Sequence, residues 1–178
     1  MCVQGRVRMI NRGVVMLASM AALLLFAGAA QSEEKEPSAI VELGGAGEWS
    51  LQGGGSSFGP TIAVEVTPIE HWLEIEAGVT SLFGGGHTEW DTDLLFKKPF
   101  TLSKTVEFMF GAGPEWVHTT SGGTSADSIA GEAVLDFMFW PWPERKFGWY
   151  LEPSYSYDFG KGHEQSLGVS VGLLIAIP

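Results

Sequence analysis

Cysteine is all but missing from this 178-residue chain, which carries a single one, Cys2. Disulfides therefore play no part in holding the fold together. Positive charge is scarce as well: ten Lys and Arg stand against twenty-one Asp and Glu, a formal charge of -11. That balance excludes a basic patch for nucleic acid or anionic lipid. Beyond the first thirty residues there is no apolar run long enough for a membrane-spanning helix. What the chain has instead is alternation, with Glu, Asp, Gly and Ser on one parity and Val, Leu, Ile and aromatics on the other.

The first thirty residues form a different kind of segment. Arg6, Arg8 and Arg12 make a basic head, Val14 to Phe26 an apolar stretch, and Ala27-Gly28-Ala29-Ala30 a small-residue tail. This pattern predicts an export signal cleaved near Ala29 or Ala30. Gly13 to Ala30 would also suffice for an anchor helix, but the small-residue tail favours cleavage. No cysteine stands at that point, which argues against a lipoprotein anchor. Cleavage removes three basic residues and no acidic one, leaving seven against twenty-one, or -14. Residues 31–38 are polar and aperiodic, and are expected to form a flexible periplasmic lead-in.

From Ala39 onward, turn residues punctuate a period of two. The expected strands are 39–51, 60–68, 72–83, 89–102, 105–118, 129–140, 148–159 and 166–177. Glycine-rich connections after the first, third, fifth and seventh strands suggest loops of about six to ten residues on one rim. Tighter or proline-bearing connections, such as Pro141-Trp142-Pro143, suit the other rim. The predicted fold is all-β: an eight-stranded up-and-down antiparallel transmembrane barrel over 39–178, with both termini on the periplasmic side. Pro114 and Pro153 lie inside strands and predict bulges or local weakness.

Alternation alone fits both a soluble sandwich and an inside-out membrane barrel. Tryptophan placement decides between them. Trp49, Trp90 and Trp116 fall at loop-side strand ends, and Trp72, Trp140, Trp142 and Trp149 at turn-side ends, leaving Val64, Leu94, Phe110 and Leu135 in mid-strand. Indole prefers the interface, where its ring is apolar and its N–H is wet, so the seven are read as two membrane belts. Strict parity would nevertheless turn Trp72 and Trp140 inward.

In its leader, eight alternating strands, aromatic belts and final Gly-Val-Ser-Val-Gly-Leu-Leu-Ile strand, the chain resembles the small outer-membrane barrels of Gram-negative bacteria, the OmpA-like and opacity-type group. The resemblance covers about residues 39–178. It implies a location in the outer membrane, with outer-membrane lipid and the barrel assembly machinery as partners, no cofactor, and a monomer. The chain departs from such barrels at Ile177-Pro178, where they carry a terminal aromatic residue.

The same parity points thirteen carboxylates inward. Glu42, Glu48 and Glu65 come from the first two strands, then Glu74, Glu76, Asp91 and Asp93. Glu107, Glu115, Glu132, Asp136, Glu152 and Asp158 complete the set, with Lys97 as their one clear basic partner. A dry lumen would cost several kcal/mol for each unpaired carboxylate, so water, protons or cations must compensate them. The expected function is a non-enzymatic structural or surface barrel with an acidic lumen. The alternative is a narrow cation-selective pore or cation-binding barrel. A further alternative is a lipid A deacylase-like enzyme: such barrels use a His-x-Ser pair with an acidic partner, and His118-Thr119-Thr120 with Glu132 is loosely similar. A rim metal site from His87, His118 and His163 with the nearby Glu89 or Glu164 is a further alternative, but these histidines lack ligand spacing, so no metal site is expected.

Overall fold

A computed structural model describes residues 37–160 and 162–177. The predicted signal segment, most of the lead-in, Lys161 and Pro178 lie outside the described residues. Eight strands follow in chain order: β1 (Ala39–Ser50), β2 (Ser56–Ile69), β3 (Leu73–Gly84), β4 (His87–Thr101), β5 (Val106–Ser121), β6 (Thr124–Phe139), β7 (Phe147–Asp158) and β8 (Gln165–Ile177). Each pairs antiparallel with its sequence neighbour, and β1 pairs with β8 from Ala39↔Ile177 to Ser50↔Ser166, which closes the barrel. Closure leaves no exposed strand edge.

Several strands run further toward the loop side than the alternation suggests. β2 begins at Ser56, β3 runs to Gly84, β4 begins at His87, β5 runs to Ser121 and β6 begins at Thr124. Two of the expected long loops thus shrink to two-residue turns, Gly85-Gly86 and Gly122-Gly123. All four glycines have positive φ, between 57° and 83°, as the tight hairpin turn that matches strand twist requires. The polar run from Thr119 to Ser128 had concealed these strand ends. Once a hairpin rises past the bilayer, neither face needs to be apolar.

The prolines also act differently from expectation. Register is continuous past Pro114 and Pro153, each of which pairs with one neighbouring strand, with Gly131 and Val169 respectively. On the other side, partners are missing for Gly113-Pro114 in β4–β5 and for Glu152-Pro153 in β6–β7. Lacking an N–H, proline drops a rung on one side without shifting the ladder. The register shift that does occur lies between Val66 and Ile69 in β2–β3, beside Pro68 at the turn-side rim.

Outward side chains form a continuous apolar band that includes Leu43, Ile62, Val64, Val79, Leu94, Phe110, Leu135 and Leu173, all exposed. So large an exposed apolar surface is the lipid face of a membrane barrel, and it excludes a solvated sandwich. Trp49, Trp90 and Trp116 rim it on the loop side; Trp72, Trp142 and Trp149 rim it on the turn side. Phenylalanines reinforce the turn-side rim. Phe100, Phe108 and Phe137 contact one another across β4, β5 and β6, and Phe139 stacks on Trp149 at 3.9 Å between centroids. Lys98 faces outward near Phe100 and sends its ammonium to the carbonyl of His71 at the rim, which keeps the charge out of the apolar band.

Trp140 does not belong to the belt. It is 1% exposed, because it follows the inward parity of Val134, Asp136 and Met138. Trp72 sits in the β2–β3 turn, outside any strand, so strand parity does not bind it and it stays outside.

Candidate functional site

The interior is built in three zones along the barrel axis. At the turn-side end Ile40, Met109, Met138, Trp140, Tyr150 and Leu174 pack into an apolar cluster, with Ala176 against it. Leu174 breaks the small-residue face of β8 for this reason: it is a core residue with no exposure. The cluster fills the tapering end, as side chains do in an eight-stranded lumen.

Above it lies Lys97, carried by β4 and fully buried. Its ammonium bonds Glu76 of β3, Asp136 of β6 at 2.9 Å and Glu152 of β7 at 2.6 Å, and Glu65 of β2 lies 3.7 Å away. One cation therefore links five strands across the lumen. Gly111 makes room for it, because a Cβ there would lie 2.6 Å from Lys97 Cγ. Glu42, Glu65, Glu76 and Asp136 bring carboxylate oxygens within 4.8 Å of one another, and Glu76 and Asp136 are already bonded to the Lys97 ammonium. Even so, Glu42 Oε1, both oxygens of Glu65 and Asp136 Oδ1 accept no hydrogen bond. The surplus of carboxylates over ammonium is the electrostatic signature of this zone.

On the loop side, two polar cavities of about 50 and 70 Å³ adjoin. The deeper one reaches Glu42, Glu76 and Glu152 and is walled by Asp91, Asp93, Glu115 and Glu132; the outer one is walled by Glu48, Glu89, Asp91, Glu115 and Asp158. Each holds a few waters at most. A space of about 10 Å³ remains at the turn-side rim, beside Trp140, Glu74 and Glu107.

Lys97 is not the sole inner cation. Arg145 Nη1 donates to Glu107 Oε2 at 3.3 Å, and Nη2 to the Lys104 carbonyl at 3.3 Å. Arg145 has a positive φ of 44° in the β6–β7 connection, which folds its side chain back over the rim. A turn residue has no strand parity, so alternation could not assign it.

On the outer surface His118 Nδ1 lies 2.7 Å from Asp127 Oδ1, and Thr120 Oγ1 lies 3.5 Å from His118 Nε2. These residues are cross-strand neighbours: His118 is opposite Asp127, and Thr120 is opposite Ser125. The acidic neighbour of His118 is thus Asp127. Glu132, the residue suggested by sequence, faces the lumen cavity instead. Among the described residues, no cluster of possible metal ligands contains a histidine.

No protein-family model matches the chain, and no curated protein matches it in sequence. Solved structures do match it. Neisserial surface protein A (NspA) superposes with a TM-score of 0.63 at 16% identity, over 78% of this chain and 96% of that one. The N-terminal β-barrel domain of Pseudomonas aeruginosa OprF gives 0.54 at 15%, over 76% and 97%. The outer membrane enzyme PagL gives 0.52 at 12%, over 76% and 99%. Strand number, closure and lipid-facing band together define the class: the chain has the fold of the small eight-stranded outer-membrane β-barrels. That fold carries a surface protein as well as an enzyme, so activity has to be argued from residues.

Proposed function

We propose that the chain is a non-enzymatic protein of the outer membrane, structural or surface-exposed in role, whose acidic lumen is closed to through-flow. One observation carries this reading: the fully buried Lys97 ammonium, held by Glu76, Asp136 and Glu152 directly above the apolar cluster. A cation path would need continuous water, and the loop-side cavities end at this layer. Loops of two to six residues also leave little surface for adhesion. The test is planar-bilayer recording of the purified barrel. No stepwise conductance is expected between about pH 4 and pH 8, a span that covers ordinary carboxylate and histidine titration. A steady cation-selective current, lost on Glu76→Gln, would establish the pore reading instead.

The Asp127–His118–Thr120 arrangement favours a second reading, a lipid A deacylase-like hydrolase. A histidine oriented by a carboxylate could take a proton from the Thr120 hydroxyl and so activate it as a nucleophile. Two features weigh against it. The hydroxyl is at the limit of hydrogen-bond reach from His118, and it lies nearer, at 3.2 Å, to Ser125 Oγ across the hairpin. Mass spectrometry of lipid A from expressing cells is expected to show unchanged acylation. Acyl loss that depends on both His118 and Thr120 would replace the structural reading with the enzymatic one.

A further inference from the structure

We propose that the loop-side mouth of the barrel binds one calcium ion between Glu48, Glu89 and Asp91. One carboxylate oxygen from each of these residues lies within 4.8 Å of the others. Calcium takes oxygen ligands at about 2.3–2.6 Å, so oxygens on opposite sides of it stand about 5 Å apart. The three can therefore converge on calcium with little movement. Magnesium, at about 2.0–2.1 Å and reluctant to shed water, would need a tighter set. An all-carboxylate site with neither nitrogen nor sulfur is poorly suited to zinc or copper.

A separate observation points to a ligand. Asp91 is 4% exposed, and its Oδ1 accepts no hydrogen bond. The side chain lines both lumen cavities at the point where they adjoin. A buried carboxylate oxygen left without a partner is costly, and a coordinated cation removes that cost. Glu89 is already oriented, since Thr119 Oγ1 donates to its Oε2 at 2.9 Å. The outer cavity, about 70 Å³, has room for an ion and a little water, and among the described residues its walls carry no Lys, Arg or His. Lys97 pairs with the deeper carboxylates Glu65, Glu76, Asp136 and Glu152, not with these three. Calcium binding here is independent of whether the lumen conducts.

The test is calorimetric titration of calcium chloride into the chelator-treated barrel, folded in zwitterionic detergent at about 0.15 M ionic strength, where diffuse charge attraction is screened. One saturable site per chain is expected. Binding should weaken at least about tenfold in Asp91→Asn and in Glu89→Gln, and should be unchanged in the turn-side variant Glu144→Gln. Heat-modifiable gel mobility checks that each variant is folded. As a second readout, calcium should raise the urea unfolding midpoint of the parent barrel and leave that of Asp91→Asn unmoved. Absence of a saturable site, equal binding by Asp91→Asn, or magnesium binding as tight as calcium would each overturn the proposal.

Discussion

Replacing Lys97 by Met is expected to lower the unfolding free energy of the barrel by about 3–5 kcal/mol, the range for removing one partner of a buried ionic cluster. The side chain is fully buried and bonds three carboxylates drawn from three other strands. Without it, Glu76, Asp136 and Glu152 face one another with no other ammonium among the described residues to pair them. The loss should therefore be electrostatic rather than steric, because Met fills nearly the same volume. A compensated variant, Lys97→Met with Glu76→Gln, Asp136→Asn and Glu152→Gln, removes both signs of charge together and should regain most of the stability. Urea unfolding in phospholipid vesicles reads both. Equal loss in the two variants would mean that the stem of Lys97 over Gly111 matters more than its charge.

Trp140→Ala is the second large effect, again about 3–5 kcal/mol, because it empties the largest side chain from the apolar cluster. Trp142→Ala, two residues on, should cost far less, since Trp142 is exposed at the turn-side rim and leaves no cavity. The pair is informative because the two indoles are close in sequence and differ only in direction. The buried Trp140 Nε1 has no hydrogen-bond partner, so Trp140→Phe should retain most of the packing at little polar loss. If Trp142→Ala proved the more damaging of the two, Trp140 would belong to the membrane belt and the turn-side apolar cluster would not close the lumen.

The strands were legible wherever one face had to meet lipid. In β8 the alternation of Val169, Val171 and Leu173 with Ser170 and Gly172 sufficed, because a one-residue slip would put serines into the bilayer. Legibility ended where that constraint ends. Above the loop-side belt, Thr119 to Ser128 is free to be polar on both faces, so the length of the β5–β6 hairpin was hidden. At the turn-side end Trp140 belongs to the strand parity but resembles an interfacial residue by type, and the two cues conflicted. Arg145 and Asp127 escaped for a further reason. Each gains its role from a contact across the barrel or across a hairpin, which depends on register rather than on local sequence. Pro114 and Pro153 show the converse: their missing N–H groups suggested bulges, but a closed barrel with a neighbour on each side absorbs a lost rung.

Lipid-phase labelling of single cysteines tests the inside-out arrangement most directly, and the chain beyond Cys2 supplies a cysteine-free background. Val171 is 52% exposed on the outer face, whereas Ser170 lines the lumen cavity. Val171→Cys is expected to react with a membrane-dissolved maleimide while Ser170→Cys does not. Labelling of Ser170→Cys with Val171→Cys protected would place the carboxylates outside and contradict the barrel described here.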